Sequence, residues 1–473
     1  MSAAGALVLL HLLGAGLLAA WPARAALLNL LLCGAALVPA ALLLAAPGGE
    51  GWLRADALNA PFVMLSAIVG FGTALFSLED VRGEGFDARR LRSYHAAFQG
   101  FLAANHVALL SDNLGILWVA IEAGTLASVV MVGVHRTPAA IEAAWKFFVL
   151  CGFGIALALF GIIVLALAGA PHLPGGEARL SAAALREVAA RMDPALLNLS
   201  FVFLLVGFGT KAGLVPLHSW LPDAHAEGPT PIAAVLSGLL LNAAMLAILR
   251  GQGIVAANGE ALSPGGFLLA MGLASLLLAG ATLWRRRDAK RLLGWSSIEH
   301  MGLAAIAFGL GGPAGNAAGL LHLWGHALLK SAAFFAIGRA ARLKGDQRMD
   351  AIGGRARSPP PLGGGLVLAM AGLAGLPPFS LFVSEWWLAG AAARTAPWVL
   401  ALLLPGLLVA GLALLHAMQR LCLGPPTPDA APGPAGLSAL LPLWTNLLLA
   451  LLIALALPAP LAALLREGAG LLP

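Results

Sequence analysis

Gly209-Thr210-Lys211-Ala212-Gly213-Leu214-Val215-Pro216 closes an apolar run over 196–217. A run of that length suits a membrane-spanning helix, which needs about 20 predominantly apolar residues. This one carries a lysine and ends on a proline. Proline removes a backbone donor and frees a carbonyl, so a break in a bilayer must be buried in protein or line a wet cavity. A charge at that depth is costly unless paired or hydrated, which makes Lys211 a candidate for function. The stretch predicts a bundle of membrane helices with a polar interior.

The rest of the 473-residue chain agrees, being 60% hydrophobic and 11% charged, where a soluble domain carries about a quarter charged residues. Apolar runs fall at 3–20, 25–47, 57–78, 95–111, 114–134, 145–169, 196–217, 231–250, 265–284, 291–311, 316–338, 362–388, 397–421 and 439–463. They predict an all-α polytopic membrane protein of about 14 helices, with no strand alternation and no soluble domain. Ala23-Arg24-Ala25 resembles a cleavage site, but no Lys or Arg precedes the first run, so it is read as helix 1. The formal charge of +6 invites a nucleic-acid reading, yet the basic residues sit in short loops. Loops after odd-numbered helices hold 18 of the 28 Lys and Arg, including Arg355 and Arg357. Loops after even-numbered helices and the C-terminus hold seven. That asymmetry places the odd loops in the cytoplasm and both termini outside, as expected for a bacterial inner-membrane protein. Cys33, Cys151 and Cys422 lie far apart in apolar runs and are read as small buried hydrophobes.

A second break, Gly372-Leu373-Ala374-Gly375-Leu376-Pro377-Pro378-Phe379, interrupts the run at 362–388. It lies five helices after the first, so the two broken helices cross in opposite directions. Two inverted five-helix repeats, helices 4–8 and 9–13, would give that pattern. The expected organisation is residues 1–94 for three N-terminal helices, 95–251 for the first repeat, 252–422 for the second and 423–473 for a last helix.

Other ionisable residues lie within the runs. Glu122 sits near the middle of helix 5, where the alternative to function is a packing hydrogen bond. His322, His326 and Lys330, at i, i+4 and i+8, form one slanted stripe on helix 11. The two histidines could be a metal pair, but no third ligand is obvious, so no metal is expected. Glu385 follows the second break, and Trp386 and Trp387 beside it suit the membrane surface. Glu299 and His300 lie inside helix 10. Lys146 stands four residues after Glu142, a spacing that favours an ion pair on the helix surface. Leu217 to Glu227 reads as a polar loop whose His218, Asp223 and His225 either funnel protons to the break or turn the chain.

The first break and its sequel, through Leu217-His218-Ser219-Trp220-Leu221-Pro222-Asp223-Ala224-His225, resemble the signature of the antiporter-like subunits of complex I. That family includes Mrp-type sodium/proton antiporters and energy-converting hydrogenases. Glu122, Asp288-Ala289-Lys290-Arg291-Leu292-Leu293-Gly294-Trp295-Ser296-Ser297 before His300, and Gly375-Leu376-Pro377-Pro378-Phe379 with Glu385 extend the likeness over roughly 110–390. Trp118-Val119-Ala120-Ile121-Glu122-Ala123, Glu142-Ala143-Ala144-Trp145-Lys146-Phe147-Phe148 and Ser297-Ile298-Glu299-His300-Met301-Gly302 most resemble the component F branch of hydrogenase 4. The resemblance implies a proton-translocating subunit with Glu122–Lys211 as input pair, central carriers among His300, His322, His326 and Lys330, and Glu385 as the terminal charge. One departure stands at Asn242, where many complex I relatives have a lysine. Asn holds no mobile proton, so the relay must pass through water or the histidines there. No cofactor is expected, since no cluster, haem or nucleotide motif is present. Redox energy would come from partner membrane subunits, one of them a further antiporter-like subunit, and from a peripheral arm on the cytoplasmic side. A Mrp-type sodium/proton exchanger and a non-pumping scaffold are the alternatives.

Overall fold

A computed structural model describes residues 2–20, 24–354, 360–424 and 435–473, almost all of them helical. Ala23, Arg355 and Arg357 lie outside the described residues. Among those described, a two-residue hairpin pairs Gly49–Glu50 with Leu53–Arg54. The helices are α1 (Ala3–Ala20), α2 (Ala25–Ala45), α3 (Ala60–Gly83), α4 (Ala88–Leu110), α5 (Leu114–Val132) and α6 (Pro138–Gly169). After a short α7 (Ala182–Val188) come α8 (Pro194–Lys211), α9 (Trp220–Glu227) and α10 (Thr230–Val255), which contains a π turn at Leu236–Leu240. Then follow α11 (Pro264–Leu283), α12 (Ala289–Leu310), α13 (Gly312–Lys344) and a single turn, α14 (Met349–Ile352). The chain ends with α15 (Pro360–Leu373), α16 (Ser380–Thr395), α17 (Leu400–Met418), α18 (Leu437–Leu455) and α19 (Ala459–Gly470).

Local chemistry sets the starts. Asp87, Asn113, Thr137, Asp193 and Asp288 each cap a helix by accepting from backbone N–H groups of its first turn. Pro138 and Pro194 occupy first positions, where no N–H is missed. Eleven helices among the described residues are long and apolar enough to cross a membrane. The apolar middle stretches of α10 and α13 are wholly buried, whereas α1, α2 and α17 turn leucines outward.

Several boundaries differ from the sequence reading. The run at 196–217 stops at Lys211, and the polar stretch expected to be a loop is mostly helix α9. Its proline, Pro222, sits in the first turn, where it is tolerated, and Trp220 stacks on Phe147 at 4.5 Å. The run at 439–463 ends as a helix at Leu455, and α19 starts anew after Pro458, with Pro460 in its first turn.

The loops sort into two groups. Glu84 meets His135 at 3.2 Å and Arg342 at 2.8 Å, and a backbone bridge joins Asp288 to Arg348, all from odd-numbered loops. At the other end Arg250 meets Asp56 at 3.1 Å, and bridges join Leu53 to Ser111 and Asn113 to Ser181, all from even-numbered loops.

Candidate functional site

The two breaks share one backbone pattern. In the first, Gly213 N donates to Thr210 O and Leu214 N to Gly209 O, with Gly213 at φ +74°. In the second, Gly375 N donates to Gly372 O and Leu376 N to Ala371 O, with Gly375 at φ +69°. Both are Schellman closures of a helix, which need a left-handed residue that glycine supplies without strain. A cis X–Pro bond follows each, at Val215–Pro216 and Pro377–Pro378. Freed groups are met inside the protein, as a bilayer demands. Trp220 Nε1 donates to Thr210 O at 2.8 Å and Val215 N to Ser275 Oγ at 3.0 Å.

Lys211 is the last residue of α8 and is wholly buried. Its Nζ lies 3.2 Å from Glu122 Oε2 of α5 and donates to Thr125 Oγ1 one turn further on. Close approach of α6 and α8 holds it there, since a side chain on Gly154 would strike Thr210 and one on Gly207 would strike the α6 backbone. Removing Glu122 would leave a buried ammonium unpaired, a loss of about 3–5 kcal/mol in typical cases.

Lys146 does not pair with Glu142. Its Nζ meets Asp223 Oδ2 of α9 at 2.6 Å, because the second half of the broken helix packs against α6. Asp223 Oδ1 also receives Arg291 of α12 at 2.7 Å, and Arg291 reaches Glu227 at 3.0 Å. Glu227 and Arg291 were not singled out from the sequence. Their signal was the turn-by-turn spacing of Asp223 and Glu227, visible only once α9 is read as a helix.

The central group lies between α10, α12 and α13. Lys330 is fully buried and its Nζ donates to Leu293 O at 2.9 Å, within electrostatic range of Glu299. His300 stands 3.3 Å from His322, Nδ1 to Nε2, and its ring is 5.4 Å from that of His326. Glu299 Oε2 is 3.6 Å from His300 Nε2. His322 Nδ1 continues to Ser384 Oγ of α16 at 2.9 Å. The stripe on α13 therefore meets the histidine of α12, and Glu385 follows Ser384 directly. Glu385 folds back over Gly375 in the second break and is half-buried there, while Trp386 and Trp387 beside it are exposed. His225 of α9 is buried against Phe334, with Lys330 and His326 in electrostatic range. His218 stands apart, facing Pro216 O and the edge of Trp295.

Asn242 spends its amide on Gly238 O at 2.9 Å, at the π turn. Beside it Ser237 Oγ and Ser297 Oγ lie 2.9 Å apart, joining α10 to α12. Neither serine stood out in the sequence, since serine is ordinary in membrane helices.

Two broken helices facing a buried file of lysines, histidines and glutamates define an antiporter-like membrane-subunit fold. A subunit of the membrane-bound sulfane sulfur reductase, an archaeal respiratory membrane complex, superposes with a TM-score of 0.88 at 23% identity, covering 99% of this chain and 97% of that one. A chain of the Mrp complex from Dietzia sp. gives 0.85 at 20% identity, over 100% and 97% of the two chains. A chain of respiratory complex I from Thermus thermophilus gives 0.78 at 26% identity, over 97% and 99%. Residues 111–412 match the family described as NADH:quinone oxidoreductase/Mrp antiporter, TM, and the chain belongs to it. Among curated relatives, a hydrogenase-4 component F homolog of Methylacidiphilum infernorum is 46% identical over 390 residues, 82% of each chain. Hydrogenase-4 component B of Escherichia coli is 29% identical over 71% of this chain and 50% of its own length.

Proposed function

We propose that the chain is a proton-translocating membrane subunit of a redox-driven complex of hydrogenase-4 type. The observation that carries this is Lys211, wholly buried at the end of a broken helix and paired with Glu122. A lysine in that position holds its proton while the carboxylate is near and yields it when the carboxylate withdraws, since a neighbouring negative charge favours the ammonium form. From Lys211 the proton passes to Lys330, with Glu299, His300, His322 and His326 as carriers and Glu385 at the far break. Lys146, Asp223 and His225 set the electrostatics around the first broken helix, and His218 lies at its mouth. The hydroxyls of Ser237 and Ser297 support passage beside Asn242. Reading α4, α12 and the α15/α16 pair as three further spans gives fourteen, with two inverted repeats in helices 4–8 and 9–13. The basic odd-numbered loops then face the cytoplasm of the inner membrane, where a peripheral redox arm would dock, and other membrane subunits flank the chain.

The test is proton uptake by inverted vesicles containing the assembled complex. Lys211→Ala and Glu122→Ala should each abolish coupled proton movement while part of the electron transfer survives. Unchanged pumping would sink the proposal. Flux that requires sodium would move the reading to a cation/proton exchanger, and defects confined to assembly would move it to a scaffold.

A further inference from the structure

A second buried polar line, unrelated to the two breaks, runs through the N-terminal helices. On α3, Ser66, Thr73, Ser77 and Asp80 are buried, and so is Asn59 just before the helix. Their spacing of seven, seven, four and three keeps them within one narrow stripe, because a helix drifts only about 20° per seven residues. Helix α4 answers with Tyr94 and Asn105: Tyr94 OH lies 3.0 Å from Ser77 Oγ, and Asn105 Nδ2 donates to Ser66 Oγ at 2.9 Å. A second stripe on α4 faces α1 and α2. There Gln99 Oε1 meets His11 Nδ1 at 2.6 Å, while its Nε2 donates to Asn29 Oδ1 at 2.8 Å and to Cys33 Sγ at 3.3 Å. His106 stacks on His11 with ring centroids 5.0 Å apart.

Each end opens on a cavity lined in part by charged residues. Asp80, held by Arg342 at 3.1 Å, lines one of about 580 Å³ among the odd-numbered loops. Asn59 donates to Leu109 O and Arg54 O, both at 2.9 Å, and Arg54 and Asp56 line one of about 510 Å³ at the other end. From Asn59 to Asp80 the helix rises roughly 30 Å at 1.5 Å per residue, about the thickness of the hydrocarbon core.

Several buried atoms along the line have no protein partner: Asp80 Oδ2, Thr73 Oγ1, Asn105 Oδ1, His11 Nε2 and both nitrogens of His106. His106 faces the carbonyls of Leu102 and Val63 without a well-formed bond to either. Buried polar atoms are ordinarily satisfied by protein or by internal water, and ionisable groups at membrane depth mark ion paths. We propose that this seam between α1, α2, α3 and α4 is a second, hydrated proton-transfer line joining the two cavities, with His106 as the carrier at its middle. His106 takes a proton at one ring nitrogen on the α1 side, where His11 stacks on it, and releases one from the other nitrogen toward α3, where the Val63 carbonyl lies. Because neither ring nitrogen is held by a well-formed hydrogen bond, turning of that ring against His11 is the step that admits one proton at a time.

The experiment is proton flux into proteoliposomes holding the full chain and a trapped pH dye, driven by an imposed gradient, with Lys211→Ala and Lys330→Ala silencing the central file. The proposal expects flux well above that of protein-free liposomes in this background, falling to the liposome level on adding His106→Phe or Ser66→Val. Flux already at the liposome level in the background, or unchanged by both additions, overturns it. Should His106→Phe not fold, Ser66→Ala and Tyr94→Phe decide, since each only deletes a hydroxyl and adds no bulk. Failure of the central-file reading is separate, because it is read from Lys211→Ala alone in an otherwise native chain.

Discussion

Lys330 and Ser297 donate to the same carbonyl oxygen, that of Leu293, at 2.9 and 3.0 Å. Ser297 also meets Ser237 across the α10–α12 interface, so a continuous set of hydrogen bonds runs from beside Asn242 to the central lysine. Losing one such bond should alter stability by only about 1 kcal/mol. Ser297→Ala is therefore expected to fold normally yet slow proton flux severalfold, measured in vesicles at matched protein level. Flux equal to the unaltered chain would place the path elsewhere.

Asp223 stands between two cations, Lys146 and Arg291. Asp223→Asn leaves them facing each other without the intervening charge, whereas Lys146→Ala leaves Asp223 still paired with Arg291. The first should lower the melting temperature in detergent more than the second. All three side chains are partly exposed, so each pair is worth only about 1 kcal/mol or less. A double-mutant cycle over Lys146 and Asp223 measures the coupling directly, and an unfavourable coupling would contradict the pairing.

Gly375 is left-handed and carries the Glu385 carboxyl against its Cα. Gly375→Ala strains the backbone and displaces Glu385 together. Gly213→Ala strains the backbone by a similar amount, about 1 kcal/mol, but meets Leu221 in place of a charge. If Glu385 acts at the second break, Gly375→Ala should lose flux beyond its loss of stability. Equal effects from the two alanines would remove Glu385 from the account.

Outside the spans, Glu84 links α3 to His135 and Arg342. Burial alone would raise its carboxyl, but the hydrogen bond and charge of His135, with Arg342 and Lys290 nearby, hold it below the usual range. A lowered carboxylate stabilises the fold fully above its unfolded pKa of about 4.3 and loses that contribution as pH falls through the folded value. The melting-temperature gap between the unaltered chain and Glu84→Gln should be fully present near pH 5 and shrink below about 4.3. A gap that stays constant down to pH 3 would mean that Glu84 contributes no charge term.

Much of this was legible in the sequence, for identifiable reasons. Lys211, Lys330 and Glu122 stand out because a charge in an apolar run has few ordinary explanations. The two breaks were readable from Gly and Pro placed beside them. The partners were harder. Lys146 was matched with Glu142 by spacing, but α9 brings Asp223 closer, and only the packing of a broken helix reveals that. The two tryptophans beside Glu385 mark a position near the surface, but only the fold shows its carboxyl turned onto Gly375. Ser237 and Ser297 carry no signal alone, since their meaning comes from lying 2.9 Å apart on different helices. The same holds for His106, an unremarked histidine in an apolar run until His11 stacks on it.

The central claim is that protons cross by way of the buried lysines. The most direct measurement is the number of protons moved per electron pair by the assembled complex in vesicles, comparing Lys330→Ala and Lys330→Arg with the unaltered chain. The account predicts that Lys330→Ala reduces proton movement by on the order of tenfold or more at retained electron transfer, as loss of a proton-transfer group does. Lys330→Arg should be nearly as impaired, because a guanidinium keeps its proton. An undiminished proton-to-electron ratio in Lys330→Ala would contradict it.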